Sequence, residues 1–239
     1  MTLKGMGLLL CVSAFASPQQ TRIPILDTSQ SGSPVRFSGT ATAEDEGTGP
    51  LRYSLKKDIS FTNASTKDIL LLVTTIDVTR LTKIDLLGTN VTDYFFTLDV
   101  FGPNAKKSWE ESFGPFAEPQ GKTELEPEEP RAVVKAVFVQ FVDGSTWGEH
   151  AAGKDALRDR QLTMKELEVL AGTYRTEGSE QFVAELMKAS QLAEILYLQR
   201  LYADSKDTEG MIAKIDNMLN SAELHHRAFQ LGNAINSGQ

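Results

Sequence analysis

All nine prolines lie at or before Pro130, and residues 132–239 contain none. Proline fixes φ, removes a backbone donor and is excluded from helix interiors. A chain punctuated by proline and then free of it changes architecture at that boundary. The expectation is an α+β protein, with strands and turns first and helices after.

The hydropathy pattern gives the same division. Leu51 to Phe61 reads as a strand, and Asp68 to Val78 as the strongest one. A further strand follows Thr89 and carries Tyr94, Phe95, Phe96, Leu98, Val100 and Phe101, with a weaker one around Ser108 to Ser112. Arg131 to Asp143 is the second strong strand; Asp143-Gly144-Ser145 is a turn signal and Thr146-Trp147 a short return. Strands at this spacing predict an immunoglobulin-like antiparallel β-sandwich over residues 51–150. Residues 17–50, rich in Ser, Thr, Gly and Pro, read as a flexible leader with a first strand near Val35 to Phe37. Glu118 to Pro130 is a linker-like loop.

Residues 151–239 read as helical. Leu167, Leu170, Ala171 and Tyr174 fall on one helical face. A long helix is expected from Ser179, its N-cap, to about Ala203, with Phe182, Leu186, Ala189, Ala193, Leu196 and Arg200 near one stripe. After the polar turn Asp204 to Gly210 comes a last helix with Ile212, Ile215, Met218, Leu219 and Ala222, and Phe229 further on. The loop length makes the last two a helical hairpin.

The two strong strands are apolar on both faces. Ile69, Leu71 and Val73 share one side of the first; Leu70, Leu72 and Ile76 share the other. In the second, Val133, Val137, Val139 and Phe141 alternate with Ala132, Val134, Ala136, Phe138 and Val142. Such strands need cover on both faces. The sandwich interior supplies one cover, and the C-terminal hairpin is expected to supply the other. A partner or a second copy is the alternative, since an exposed apolar sheet aggregates.

Met1 to Ala16 has the layout of a secretory signal peptide. Lys4 provides a short basic start, Met6 to Ala16 an uncharged apolar run, and Ala14-Phe15-Ala16 an A-x-A cleavage site. The run is too short to span a membrane, and no other apolar run reaches that length. The expected location is extracytoplasmic, periplasmic or secreted. The one cysteine, Cys11, leaves with that segment. A disulfide framework and a cysteine zinc site are thereby excluded. The net charge of −8 argues against nucleic acid as a partner.

Candidate chemistry is sparse, and no cofactor is expected. Trp147 is a candidate stacking platform for a sugar, with Asp143 orienting a hydroxyl; Trp109 is a second aromatic candidate. The alternative is that Asp143-Gly144 is simply a turn and Trp147 closes the core. His150, His225 and His226 are weak metal-ligand candidates. Neighbours on a helix point about 100° apart, so His225 and His226 do not easily share an ion. Glu110, Glu111, Glu118, Glu124, Glu126, Glu128 and Glu129 are the carboxylates a hydrolase or calcium site would draw on, although solvated glutamates are the simpler account. Asn63-Ala64-Ser65 and Asn90-Val91-Thr92 match the N-glycosylation pattern. Tyr197, Leu198, Leu201 and Tyr202 extend the apolar surface of their helix beyond one stripe.

The stretch from Ile59 to Ile69 contains Ile59, Asn63 and Ser65 at the I-x-x-x-N-x-S spacing. It resembles the strand-turn-strand region of exported bacterial immunoglobulin-like domains of the FxLYD type. The block Val137 to Gly148 is similar to the closing strands of uncharacterised secreted proteins, some with helical tails. This resemblance implies an extracytoplasmic sandwich module and carries no catalytic residues over. The expected function is non-enzymatic, through protein–protein contacts or self-association. The alternatives are a carbohydrate-binding module using Trp147 and a glutamate-based hydrolase.

Overall fold

The computed structural model describes residues 19–45, 51–79, 81, 86–117 and 129–237; the expected signal peptide lies outside them. Their strands are β1 (Gln19–Asp27), β2 (Val35–Asp45), β3 (Leu51–Asn63), β4 (Ile69–Thr79), β5 (Leu86–Asp93), β6 (Lys106–Ala117), β7 (Arg131–Phe141) and β8 (Thr146–Gly148). The helices are α1 (His150–Glu177), α2 (Ser179–Leu186), α3 (Ala193–Ser205) and α4 (Thr208–Ser237). The strands form one curled sheet in the order β5-β4-β7-β1-β2-β3-β6, with β8 on β7. The first three strands and the sixth lie side by side. The immunoglobulin order would instead place the fifth and fourth strands beside the second.

β1 is the pivot of the curl. Its first part, Gln19 to Pro24, pairs antiparallel with β2, and Ile25 to Asp27 pair parallel with β7. Pro24 stands where the pairing changes, and proline has no N–H with which to continue a ladder. The Asp27 carboxylate fixes the far side, accepting from the backbone N–H groups of Ser29 and Phe37 at 2.9 and 3.0 Å. Residues 19–45 therefore form two full strands where the sequence reading had a flexible leader. Local composition was misleading there: Ala41 and Ala43 are small but buried, and face the core.

Two register shifts decide which side chains face inward. Between Val73 and Thr74 of β4, the β7 partner jumps from Phe138 to Ala136. The extra residue, Val137, swaps the faces of β7. Ala132, Val134, Ala136, Val139 and Phe141 enter the main core, while Val137 and Phe138 both point outward. A second shift near Leu70 turns Ile69 and Leu70 to the same inner side. Strict alternation, as read from sequence, misassigned these residues.

The outer face is covered within the chain. Leu71, Val73, Val137 and Phe138 pack with Ala156 of α1, flanked by Ala152 and Leu157. The cover is the start of α1, not the final hairpin. Gly153 makes the close approach possible, because a methyl group there would lie 2.5 Å from the Phe138 ring. α2 and α4 pack on α1, with Leu167, Leu170, Phe182, Leu186, Ile195, Leu198, Met211 and Ile215 all buried.

Three local expectations change. The long helix from Ser179 is two helices, broken across residues 187–192, where the Gln199 amide donates to the Leu186 and Lys188 carbonyls. Its N-cap residue is Gly178, not Ser179. Residues 94–101 form a turn rather than a strand; Tyr94, Phe95 and Phe96 are buried there without pairing in a ladder. No helix among the described residues is long and apolar enough to cross a membrane.

Candidate functional site

α1 presents Gly153, Ala156, Arg160, Thr163, Leu167, Leu170 and Ala171 as its buried stripe. Arg160 is the anomaly, a cation in a row of small and apolar residues. Its Nε and one terminal nitrogen donate to the two Asp93 carboxylate oxygens, both at 2.9 Å. The other terminal nitrogen donates to Gln140 Oε1 at 2.7 Å. The guanidinium lies 4.4 Å from the centre of the Phe95 ring. A bidentate pair, an amide acceptor and an aromatic face satisfy the buried charge. This cluster joins α1 to the end of β5, to β7 and to the turn after β5.

Beside it lies a cleft of about 640 Å³. Its floor is the outer face of β5, β4 and β7, including Val73, Thr75, Thr89, Val91, Lys135 and Val137. Glu149, Asp155 and Asp159 line its α1 side, and Gln191, Ala193 and Glu194 close it from the start of α3. Glu194 comes within 3.5 Å of the Thr163 hydroxyl, a contact at the outer limit of a hydrogen bond. Burial pushes its carboxyl above the ordinary glutamate range, and the charges of Asp93 and Asp159 push it further.

A carboxyl raised in the folded state favours folding most when protonated, and that contribution fades as pH rises from the unfolded to the folded pKa. Glu194→Gln is therefore expected to melt higher than the parent at pH 7. The gain should vanish well below the ordinary glutamate value of about 4.3. Thermal melts at pH 3.5 and 7 test this; equal melting temperatures at pH 7 would refute it.

The residues singled out from sequence do not converge. Asp143 is a turn residue, with its carboxylate 2.7 Å from Lys67 Nζ. Burial raises its pKa, but the Lys67 ammonium and the Ser145 donors outweigh this and leave it below the usual range. Trp147 pairs with Val139 and packs half-buried on the main core. Gly144 lies against Phe229 of α4. A turn at Asp143-Gly144 with Trp147 closing the core thus accounts for these contacts. Trp109 packs against Phe61 at 4.7 Å between ring centres, inside the curl.

The histidines are separated in function. His225 is buried, its Nε2 3.0 Å from the Thr97 carbonyl, which makes Nε2 the protonated nitrogen. His226 is exposed and contacts Gln230; His150 is the exposed first residue of α1. His225 lies well inside α4 rather than at its end. No group of three His, Cys, Asp or Glu residues among the described residues has the geometry to hold a metal.

Two of the glutamates are likewise committed, and Glu129 is exposed. Glu110 pairs with Lys56 at 2.8 Å. Glu111 pairs at 2.7 Å with Lys57, which is buried on the inner face of β3. Asn90 Nδ2 donates to the other Glu111 oxygen at 3.4 Å, linking the two edge strands, β5 and β6, across the mouth of the curl. Glu118, Glu124, Glu126 and Glu128 lie outside the described residues.

Both glycosylation triplets are structural. Asn63 is fully buried and donates to the Lys67 and Phe101 carbonyls at 2.8 and 2.7 Å. Asn90 is held by Glu111. The buried Asn63 amide is not presented for modification, whereas Asn90 is half-buried.

Sequence reasoning missed Arg160, Asp93, Gln140, Thr163 and Glu194. One signal was legible: Arg160 falls between Ala156 and Leu167 on a helical stripe, where a cation demands a buried partner. Asp93 and Gln140 carried no such mark. Compared with known protein families, curated proteins and solved structures, the chain matches none.

Proposed function

We propose that this is an exported, non-enzymatic binding protein that takes an extended segment of a partner protein along the open edge of β5. Its curled sheet works as a two-layer sandwich, immunoglobulin-like in architecture rather than in strand order. The apolar run and A-x-A site of residues 1–16 support export.

The observation that carries the reading is the contrast between the two edge strands. β6 carries Lys106, Lys107, Glu110 and Glu111, charges that discourage pairing with another chain. β5 carries no charge and no proline from Leu86 to Thr92, and its register against β4 is regular throughout. Leu87 is 76% exposed and Val91 47% exposed on this strand. Its one tie to the facing edge is the 3.4 Å contact of Asn90 with Glu111 among the described residues. Such an edge fits strand addition, in which backbone hydrogen bonds supply affinity and alternate side chains supply selectivity.

The sugar-binding alternative has no support in the contacts of Trp147, which are with the core. The test compares the full-length protein with Val91→Lys, a change at an exposed edge position. Pull-down from the producing cells should recover a partner with the parent and lose it with the variant. Equal recovery by a variant of unchanged circular dichroism would overturn the β5 assignment. Size-exclusion with light scattering identifies the case in which the partner is a second copy.

A further inference from the structure

Resting on that reading, we infer that the segment added at β5 is cationic, placing lysine or arginine side chains over the acidic wall of the adjoining cleft. Leu87, Thr89, Val91 and Asp93 alternate onto the outer face of β5, and the last three line the cleft. A strand paired to β5 turns every second side chain to this same face. Those side chains meet the apolar Val91 and, beyond it, carboxylates.

The charge of the wall is one-sided. Glu149, Asp155, Asp159 and Glu194 line the cleft; among the described residues its lining cations are Lys135 and Arg160, and Arg160 is spent on Asp93. Arg158 lies 3.6 Å from both Asp155 and Asp159 but is largely exposed and screened by solvent. Four carboxylates on one wall favour a positive group, so this wall attracts a lysine or arginine and repels an acidic segment. The recognised pattern is an extended stretch with basic residues at alternate positions and small apolar or hydroxyl residues between.

The experiment uses the full chain and two octapeptide probes. One alternates lysine with valine and threonine; the other has glutamate in place of every lysine. Fluorescence anisotropy reads affinity, and amide hydrogen exchange reads protection of residues 86–92. The lysine probe should bind at least tenfold more tightly than the glutamate probe and protect those amides. Glu194→Gln should weaken the lysine probe by roughly fivefold. Adding Glu149→Gln, Asp155→Asn and Asp159→Asn should abolish discrimination between the probes. Equal binding with equal protection of β5 would overturn the cationic inference and leave strand addition standing. Binding of neither probe, with β5 unprotected, would overturn both. Discrimination that survives all four substitutions would place charge selection elsewhere and overturn the inference.

Discussion

Replacing Arg160 by methionine is expected to destabilise the protein by about 3–5 kcal/mol, the usual consequence of removing one partner from a buried ion pair. The side chains of Arg160 and Asp93 are 6% and 10% exposed, so water reaches neither well. Without the guanidinium, Asp93 keeps a buried negative charge, and Gln140 loses the donor to its amide oxygen. Methionine fills much of the same volume, which isolates the electrostatic loss from a cavity. The double variant Arg160→Met, Asp93→Asn should recover a large part of the stability. The Asp93 carboxylate also accepts from the Phe95 N–H at 3.0 Å, and asparagine retains an acceptor for it. Urea unfolding of the two variants decides the matter. A loss under about 1 kcal/mol for Arg160→Met would mean the pair behaves like an exposed one.

Ending the chain after Gly148 should abolish its existence as a soluble monomer. The cut leaves β8 in place but removes α1, and with it the cover over Leu71, Val73, Val137 and Phe138. Burial of each such side chain is worth about 1.5–3 kcal/mol. Together they rival the net stability of a whole domain, about 5–15 kcal/mol. The exposed face would adjoin the open β5 edge, which compounds the tendency to associate. Size-exclusion with light scattering on the truncated chain tests this, and a stable monomer would show that α1 is not an essential cover. A milder variant probes the same contact in the full chain: Phe138→Ala should cost about 3–5 kcal/mol.

Both results turn on where α1 lies, and this was only partly legible beforehand. The double-sided strands demanded a second cover, and the proline-free tail was the evident source. The sequence did not reveal which helix would supply it. The final hairpin has apolar stripes, yet those stripes are used on α1 and on the turns around Phe95 and Gly144. The beginning of α1 has only Ala152, Gly153, Ala156 and Leu157 to offer. Small residues make a weak hydrophobic face, but they let the helix approach Phe138 closely. The outer face of β7 was misread for a related reason: a bulge at Val137 is a backbone event with no side-chain periodicity to announce it.

The candidate site shows the same limit. Arg160 was visible as a charge on an apolar stripe, while its partners were not, because Asp93, Gln140 and Phe95 lie 67, 20 and 65 positions away along the chain. Conversely, the residues that looked most distinctive in isolation had local explanations. Asp143 satisfies its own turn, Asn63 ties β3 to the residue before β6's connection at Phe101, and His225 serves the Thr97 carbonyl. A conspicuous polar residue was more often a structural partner than a reactive one.

By itself the sequence determined the division into strands and helices, the strong strands β4 and β7, the need to bury both of their faces, and the turn at Asp143 to Ser145. These follow from local propensity and from the free energy of hiding apolar surface, which depend on composition along short windows. Only the tertiary structure decided the strand order, the face each side chain takes after a bulge, the helix that covers the sheet and the cleft beside Glu194. Each of these depends on contacts between residues far apart in the chain, where register and close approach, rather than hydropathy, choose between arrangements of similar apolar burial.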